Sequence, residues 1–465
     1  MLTANTVKNK IGVDVALSSE MTSSLELWSL MYKNQATWLN ENVKSLNLPA
    51  SISGELSRMT TIELKVTISG DSERAKYLQS QVDKMVPKLR QMIEYGNAKG
   101  GLMMKPFPNG SNIDVDYVQA EQFLPISFDT NGNIASCVFV DQRTVGRDYY
   151  TRLEGHSFDS NSGIVTIKNL AYKSTSPGDI GQQIDLTSFE PWANLLPVAQ
   201  MKNIKQPLYG YYRFPMANNV DTTSPLGVSC FSRAQTYDNA VTLIKDADEL
   251  YSNLVWEFES GKRAIYVDEL AFSKDKTTGK SNIPDKRLYR TLTAPTRTIG
   301  ESGKLFDEWS PDFRNEAFQS GLDAMLKKIE YQCGLAYGTI SDPAVEAKTA
   351  TEIKISKQRT YATVTDTQKS LQTALEQLIY AMDVWATLNK LSPVGSYTTI
   401  YDFDDSVIVD KDVQILQDRQ AVSAGELSKW RFLIRNYGLD EETAKAWVQE
   451  AQDEVVPVDN PFQGA

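Results

Sequence analysis

The chain reads as an α+β protein, and three observations carry that reading. Apolar residues recur at helical spacing through the first 95 positions. From Gly101 to about Leu170 the pattern switches to short alternating runs bounded by turn dipeptides. A long helical pattern then returns near Ala350 and runs to about Leu391. Helices followed by a block of strands are the signature of an antiparallel sheet packed on a helical layer.

The helical layer opens with residues 20 to 46, which carry Leu25, Trp28, Met31, Tyr32 and Leu39 at helical spacing. Residues 49 to 68 continue it, with Pro49 at a favourable first helical position. Residues 71 to 95 follow the caps Asp71 and Ser72 and place Tyr77, Val82, Met85, Leu89 and Ile93 on one face. Gly96 is expected to end that helix and Pro87 to kink it.

Six strand-like runs come next: GLMMKPF, IDVDYV, LPISFD, IASCVFVDQ, DYYTRLEGHSF and GIVTIKNLAY. Asn109-Gly110, Asn131-Gly132 and Asn161-Ser162-Gly163 supply the turns. Ser174 to Asn219 is rich in Pro, Gly and aromatic residues and reads as an irregular connection on the sheet. Residues 228 to 258 then predict one long helix, stopped by Ser260-Gly261.

Residues 261 to 312 predict a small insert with strands at Ala264–Val267 and from Leu288 onward. Between Ser260 and Lys304 it holds ten basic against five acidic residues, a local excess that suits an acidic partner or nucleic acid, or a plain solvated loop. A helix from about Pro311 to Cys333 leads to the polar loop GLAYGTISDPAVEAKTA. The helix from about Ala350 to Leu391 would span about 60 Å at 1.5 Å per residue, which needs a partner along much of its length. Its early turns carry Lys354, Lys357 and Arg359, its later turns Leu371, Leu375, Leu378, Ile379 and Met382. A strand TTIYDFDD and helices at about 412–422, 426–437 and 440–455 close the chain.

Composition narrows the chemistry. With 465 residues, two or three packed units are expected. No apolar run is long enough to cross a membrane, and MLTANTVKNK lacks a signal-peptide core, so no membrane partner is expected. Cys137, Cys230 and Cys333 stand alone without CxxC spacing, which argues against disulfides and thiolate metal sites and for a reducing compartment. The single histidine, His156, leaves little room for a Ser-His-Asp arrangement and reads as structural. Gly279-Lys280-Ser281 lacks the first glycine of a P-loop, whose place Lys274 holds, so no nucleotide cofactor is expected. The cluster Asp402, Asp404, Asp405, Asp410 and Asp412 suits a solvated turn better than an EF-hand. A net charge of −11 excludes tight coating of DNA, while leaving room for weak, sliding contact.

Several phrases, in this order of elements, resemble the bacteriophage portal proteins, in particular those of long-tailed phages of Gram-positive bacteria. They are ISGELSRMTTIELKVTISG, SPLGVSCFSRAQTYDNAVTLIKDADE, FDEWSPDFRNEAFQSGLDAMLKKIEYQCGLAYGTISD, TATEIKISKQRTYATV and FDDSVIVD. The resemblance covers nearly the whole chain and implies a non-enzymatic channel protein. It would be a ring of twelve or thirteen copies at one capsid vertex of the virion, assembled in the bacterial cytoplasm. Implied partners are double-stranded DNA passing through the channel, the terminase large subunit, head-completion or adaptor proteins, and the major capsid and scaffolding proteins. No cofactor and no metal are implied.

Carried onto this sequence, the resemblance implies a wing at 1–225, a first stem helix at 226–259, a clip at 260–312 and a second stem helix at 313–335. A tunnel loop at 336–350, a long wing helix with its return strand at 351–403, and a crown with the C-terminal tail at 404–465 complete the layout. Channel candidates are Gly338, Lys348, Lys354 and Lys357, with Gly334 helping the loop to bend. Clip candidates for partner contact are Lys262, Arg263, Lys286 and Arg287. Trp256, Trp309 and Trp385 are expected to pack in the core or between subunits. A carboxylate-dependent hydrolase of unknown substrate, and another minor capsid or adaptor protein, stand as alternatives.

Overall fold

A computed structural model describes residues 10, 12, 14–176, 178–232, 240–262, 264–268, 289–292, 306–309, 312–342, 350–403 and 411–453. The chain divides into two compact units, Met1–Asp402 and Phe403–Ala465.

In the first unit, helices α1 (Ser19–Tyr32), α2 (Leu48–Thr61) and α3 (Glu73–Lys99) form the expected helical layer. Helix α1 stops at Tyr32, not at residue 46, because Asn34 takes a left-handed backbone and residues 33–47 run as turns. Helix α3 passes through Pro87 and Gly96 and ends at Gly100. Gly96 stays inside it because a Cβ there would sit 2.9 Å from the Tyr212 ring, so close packing explains that glycine better than termination. Gly100 is the true stop, with φ +84° and a would-be Cβ only 2.4 Å from the Gly227 carbonyl oxygen.

Strand β1 (Leu64–Ser69) takes the end of the stretch expected as helix over 49–68, while the other strands fall where the alternation places them: β2 (Gly101–Asn109), β3 (Asn112–Gln119), β4 (Phe123–Phe128), β5 (Ile134–Val145), β6 (Asp148–Asp159) and β7 (Ile164–Ser174). The stretch read as irregular contributes three short strands, β8 (Gln182–Ile184), β9 (Val198–Met201) and β10 (Gly210–Arg213). One sheet has the order β10-β2-β3, and a second runs β4-β5-β6-β7-β8 with β9 also on β7. These pairs are antiparallel, with Met104 opposite Tyr117 and Phe139 opposite Glu154. Periodicity alone could not reveal β8 to β10, because three or four residues are too few for a pattern.

Helix α4 (Ala240–Ser260) replaces the later part of the helix expected over 228–258. Residues 228–232 are instead a buried irregular segment, pinned by the Cys230 amide on the Asn97 carbonyl. A three-stranded sheet follows, β11 (Ala264–Asp268) between β12 (Tyr289–Leu292) and β13 (Phe306–Trp309). Two of its strands were expected; β13 was not. Helix α5 (Asn315–Cys333) and the 39-residue helix α6 (Ala350–Leu388) match the expectation closely.

The long helix finds much of its missing partner inside its own chain. Leu371, Leu375, Leu378, Ile379 and Met382 of α6 pack against Leu78, Val82, Leu89 and Ile93 of α3, with Leu102, Met104 and Tyr212 from the β10-β2-β3 sheet. On another side Ala381 meets Val165, Ile167 and Met201 of the second sheet. Arg74, fully buried, fastens the far end of α6. Its guanidinium donates to the carbonyls of Asp383, Ser392 and Pro393 and pairs with the Asp383 carboxylate at 3.0 Å. Strand β14 (Thr398–Phe403) returns to pair with β1.

In the second unit, α7 (Lys411–Ser423), α8 (Lys429–Tyr437) and α9 (Glu441–Asp453) confirm the three closing helices. Asp418 of α7 accepts from Arg435 and Asn436 of α8, and the Arg431 and Lys445 cations lie 5.0 and 4.9 Å from the centre of the Trp430 ring.

Candidate functional site

Of the residues singled out for function, the described ones, Lys262, Gly338, Lys354 and Lys357, lie after the two helices of a hairpin and on the first turns of α6. Helices α4 and α5 run antiparallel, with Leu250 beside Gly321 and Glu257 beside Arg314. Helix α4 is anchored by Asp248. That carboxylate accepts from the Trp38 indole at 3.0 Å and the Leu46 amide at 2.8 Å, and burial pushes its pKa up. The Lys44 amide donates to Ser252 one turn further on.

At the opposite end the hairpin is clamped where the small sheet enters and leaves. Arg314 reaches both oxygens of Glu257, at 3.0 and 2.6 Å, through a bidentate pair that holds the Glu257 carboxyl below its usual range. Phe313 stacks near Phe258 with ring centroids 5.6 Å apart. Gly261 has no room for a side chain, since a Cβ would lie 2.5 Å from the Phe313 ring. Lys262 is exposed directly after this clamp. Arg263, Lys286 and Arg287 lie outside the described residues, as does Gly279-Lys280-Ser281.

The loop after α5 is rooted by one buried carboxylate. Glu330 is fully buried in the last turn of α5. Its oxygens accept from the backbone amides of Gly338 (3.2 Å), Ile340 (2.7 Å) and Ser341 (2.9 Å), and from the Ser341 hydroxyl at 2.9 Å. Three amides converging on one carboxylate turn the chain back over the helix end. Gly334 makes that turn possible, with φ +75° and a would-be Cβ 2.5 Å from the Thr363 hydroxyl. Helix α6 holds the other side. Thr360 accepts from the Ala336 amide at 2.6 Å, and Thr363 donates to the Gly334 carbonyl at 3.0 Å.

Of the channel candidates, Gly338 sits at the Glu330 root with φ +88°. Lys354 and Lys357 lie on the first turns of α6, and Lys348 falls outside the described residues. Trp256 is 63% exposed and belongs to no core, Trp309 pairs with Ala264 at the end of β13, and Trp385 is half-buried beside α3 and the second sheet. Glu330, Thr360, Thr363 and the Glu257–Arg314 pair were not singled out in the sequence. A lone Glu in the last turn of a helix, where the macrodipole disfavours it, was the signal available.

His156 is buried in the second sheet with its Nε2 2.7 Å from Glu154, which also takes Lys105 at 2.7 Å and Arg152 at 3.0 Å. The three cysteines are buried and form no disulfide. Among the described residues no group of acidic, histidine and cysteine side chains is arranged to hold a metal ion, and no helix is long and apolar enough to cross a membrane. The acidic cluster is described only at Asp402 and, as helix backbone, Asp412.

A family described as "Phage portal protein, SPP1 Gp6-like" matches residues 42–456. The chain belongs to the phage portal proteins. No curated protein matches it. Among solved structures, a chain of the virion of a native gene transfer agent particle is similar at 12% identity, with a TM-score of 0.40 over 94% of this chain and 99% of that one. A chain of the neck of the same kind of particle, computed with C12 symmetry, shares 11% identity, with a TM-score of 0.35 over 93% and 98%. The mixed helical and antiparallel-sheet architecture is that of a portal-type fold. The hairpin clamp and the loop root both lie inside the stretch that the portal family matches.

Proposed function

We propose that this portal protein forms a homo-oligomeric ring of twelve subunits, or thirteen in isolation, at one capsid vertex of a long-tailed phage or prophage of Gram-positive bacteria. Its channel passes double-stranded DNA during packaging and ejection, and its outer end docks the terminase large subunit and later the head-completion or adaptor proteins. Scaffolding and major capsid proteins surround it in the virion. The observation that carries this reading is the clamped hairpin ending in a carboxylate-rooted loop. That arrangement fixes the backbone of residues 334–342 against the end of α5.

In this reading residues 1–225 are the wing, 226–259 and 313–335 the stem, 260–312 the clip, 336–350 the tunnel loop, 351–403 the long wing helix with its return strand, and 404–465 the crown. Lys348, Lys354 and Lys357 make transient phosphate contacts beside Gly338, and Lys262, Arg263, Lys286 and Arg287 meet partners at the clip. The net charge of −11 suits a channel that must let any sequence slide, since base readout would hinder passage.

Native mass spectrometry with negative-stain imaging tests it. Rings near twelve or thirteen times 52.0 kDa with an axial hole are expected. A monomer that fails to form rings even with its scaffolding protein would overturn the reading. Alanine at Lys348, Lys354 and Lys357 together should leave rings intact and lower the DNA packaged per particle.

A further inference from the structure

The face of the second sheet that meets the rest of the first unit is divided in two. Directly paired residues share a face, so Cys137, His156 and Ile167 lie in one row across β5, β6 and β7, beside the pair Phe139 and Glu154. Toward β7 that face is apolar, where Val165 and Ile167 pack with Met201, Leu208 and, from α6, Ala381. Over β5 and β6 it is charged. Lys105 belongs to β2 of the other sheet and brings its ammonium 2.7 Å from the Glu154 carboxylate and 4.8 Å from the centre of the Phe139 ring. Arg152 reaches the same carboxylate at 3.0 Å, and His156 Nε2 reaches it at 2.7 Å. The Tyr209 ring lies 6.0 Å from the imidazole, and Asp116 and Asp141, both partly open to water, stand 3.6 Å from Lys105 and 3.7 Å from Arg152.

Three donors therefore converge on the two oxygens of Glu154. Against the cost of its burial, Lys105, His156 and Arg152 hold its carboxyl well below the usual range, so Nε2 is the nitrogen that carries the histidine proton. Nδ1 is buried and has no hydrogen-bond partner among the described residues. A second proton on the imidazole has only Nδ1 to take it. There it makes a buried N–H without an acceptor and a third cation around one carboxylate, and both cost free energy where water is excluded. Admitting water between β2 and the second sheet removes both costs at once.

We propose that this junction is an acid-released latch: a proton taken up at His156 Nδ1 parts β2 from β5 and β6, while the apolar half of the same face stays docked. The apolar half holds no titrating group, and the core between α3 and α6 lies outside the latch, so the opening is local. This is a narrower event than loss of the whole fold, and it does not depend on ring formation. Burial holds the imidazole below its ordinary 6.5 while the latch is closed; once open, it titrates near 6.5. The open fraction therefore rises about tenfold between about pH 7.5 and about pH 5.5.

Cys137 reports the opening, since it is fully buried beside His156 on the face that β2 covers. The full chain is treated with an aromatic disulfide that reacts with thiols in acid as well as at neutral pH, and labelling of each cysteine is followed by mass spectrometry of its peptide. Each rate is divided by that of the urea-unfolded chain at the same pH, which removes the pH dependence of the reagent. Cys137 should label about tenfold faster at about pH 5.5 than at about pH 7.5. Cys230, held beside Ser53, and Cys333, in the last turn of α5, should keep their rates. His156→Gln keeps an amide donor for Glu154 and has no proton to take up, so Cys137 in that variant should label equally at both pH values. Circular dichroism at about pH 7.5 reports that the variant folds.

A Cys137 rate in the wild type that does not change with pH would overturn the latch. So would a common rise of all three cysteines, which is global unfolding, or a folded His156→Gln variant that keeps the tenfold rise. If that variant does not fold, the comparison of the three cysteines in the wild type decides alone.

Discussion

Replacing Arg74 by alanine removes a guanidinium that no water reaches. Four hydrogen bonds go with it: to the carbonyl oxygens of Pro393 (3.1 Å), Asp383 (2.8 Å) and Ser392 (2.8 Å), and to the Asp383 carboxylate (3.0 Å). A buried acceptor left without its donor costs about 1–3 kcal/mol. Simple addition overstates the total, because the Asp383 side chain is 30% exposed and water can replace part of what it loses. The expected loss of stability is about 3–5 kcal/mol, the range for breaking a buried charge pair from one side.

Urea unfolding of the unassembled protein, followed by tryptophan fluorescence, measures this loss. Asp383→Asn separates the contributions. It keeps the carbonyl contacts and removes only the charge of a partly exposed group, so it should cost about 1 kcal/mol or less. Arg74→Lys should fall between the two, since one ammonium cannot span three carbonyls and a carboxylate. A loss under about 1 kcal/mol for Arg74→Ala would refute the reasoning and reduce Arg74 to the standing of a surface pair.

Four further outcomes follow from the geometry. Burial holds the His156 imidazole below its ordinary 6.5, against the pull of Glu154, so the unfolded chain takes up a proton first as pH falls. Stability is then complete above about pH 6.5 and lost below it, and His156→Gln should flatten that slope in melts taken across the range. Gly100→Ala must place a Cβ 2.4 Å from the Gly227 carbonyl at φ +84°, and should cost about 1–3 kcal/mol, read as a lower melting temperature. Leu375→Ala should cost about 2–5 kcal/mol in the core shared by α3 and α6, while Lys369→Ala on an exposed face of the same helix should change stability by less than about 0.5 kcal/mol. Glu330→Gln turns one acceptor toward backbone N–H groups as a second donor, so protease cleavage in residues 336–342 should speed up while α4 and α5 stay protected; equal cleavage would show that the carboxylate does not root the loop.

The elements of this portal protein were legible in its sequence because their signals are local. Alternation marks β2 to β7, turn dipeptides mark their hairpins, and the apolar stripe Leu371, Leu375, Leu378 and Met382 marks the buried half of α6. Family membership was legible in the ordered phrases quoted above, which lie within the stretch that the portal family matches. The sequence also pointed to a loop after α5 through its Gly334 and Gly338, both of which take positive φ.

What anchors that loop was decided only in three dimensions. Nothing in the spacing of Glu330, Gly338, Ile340 and Ser341 says that one carboxylate gathers three amides, because hydrogen bonds across a turn depend on backbone direction rather than on residue type. The same holds for Glu257 and Arg314, 57 residues apart in the chain yet 2.6 Å apart in space. It holds for Arg74, whose carbonyl partners lie more than 300 positions away and carry no signature of their own. Periodicity fixes which face of an element is buried; only packing fixes what that face meets.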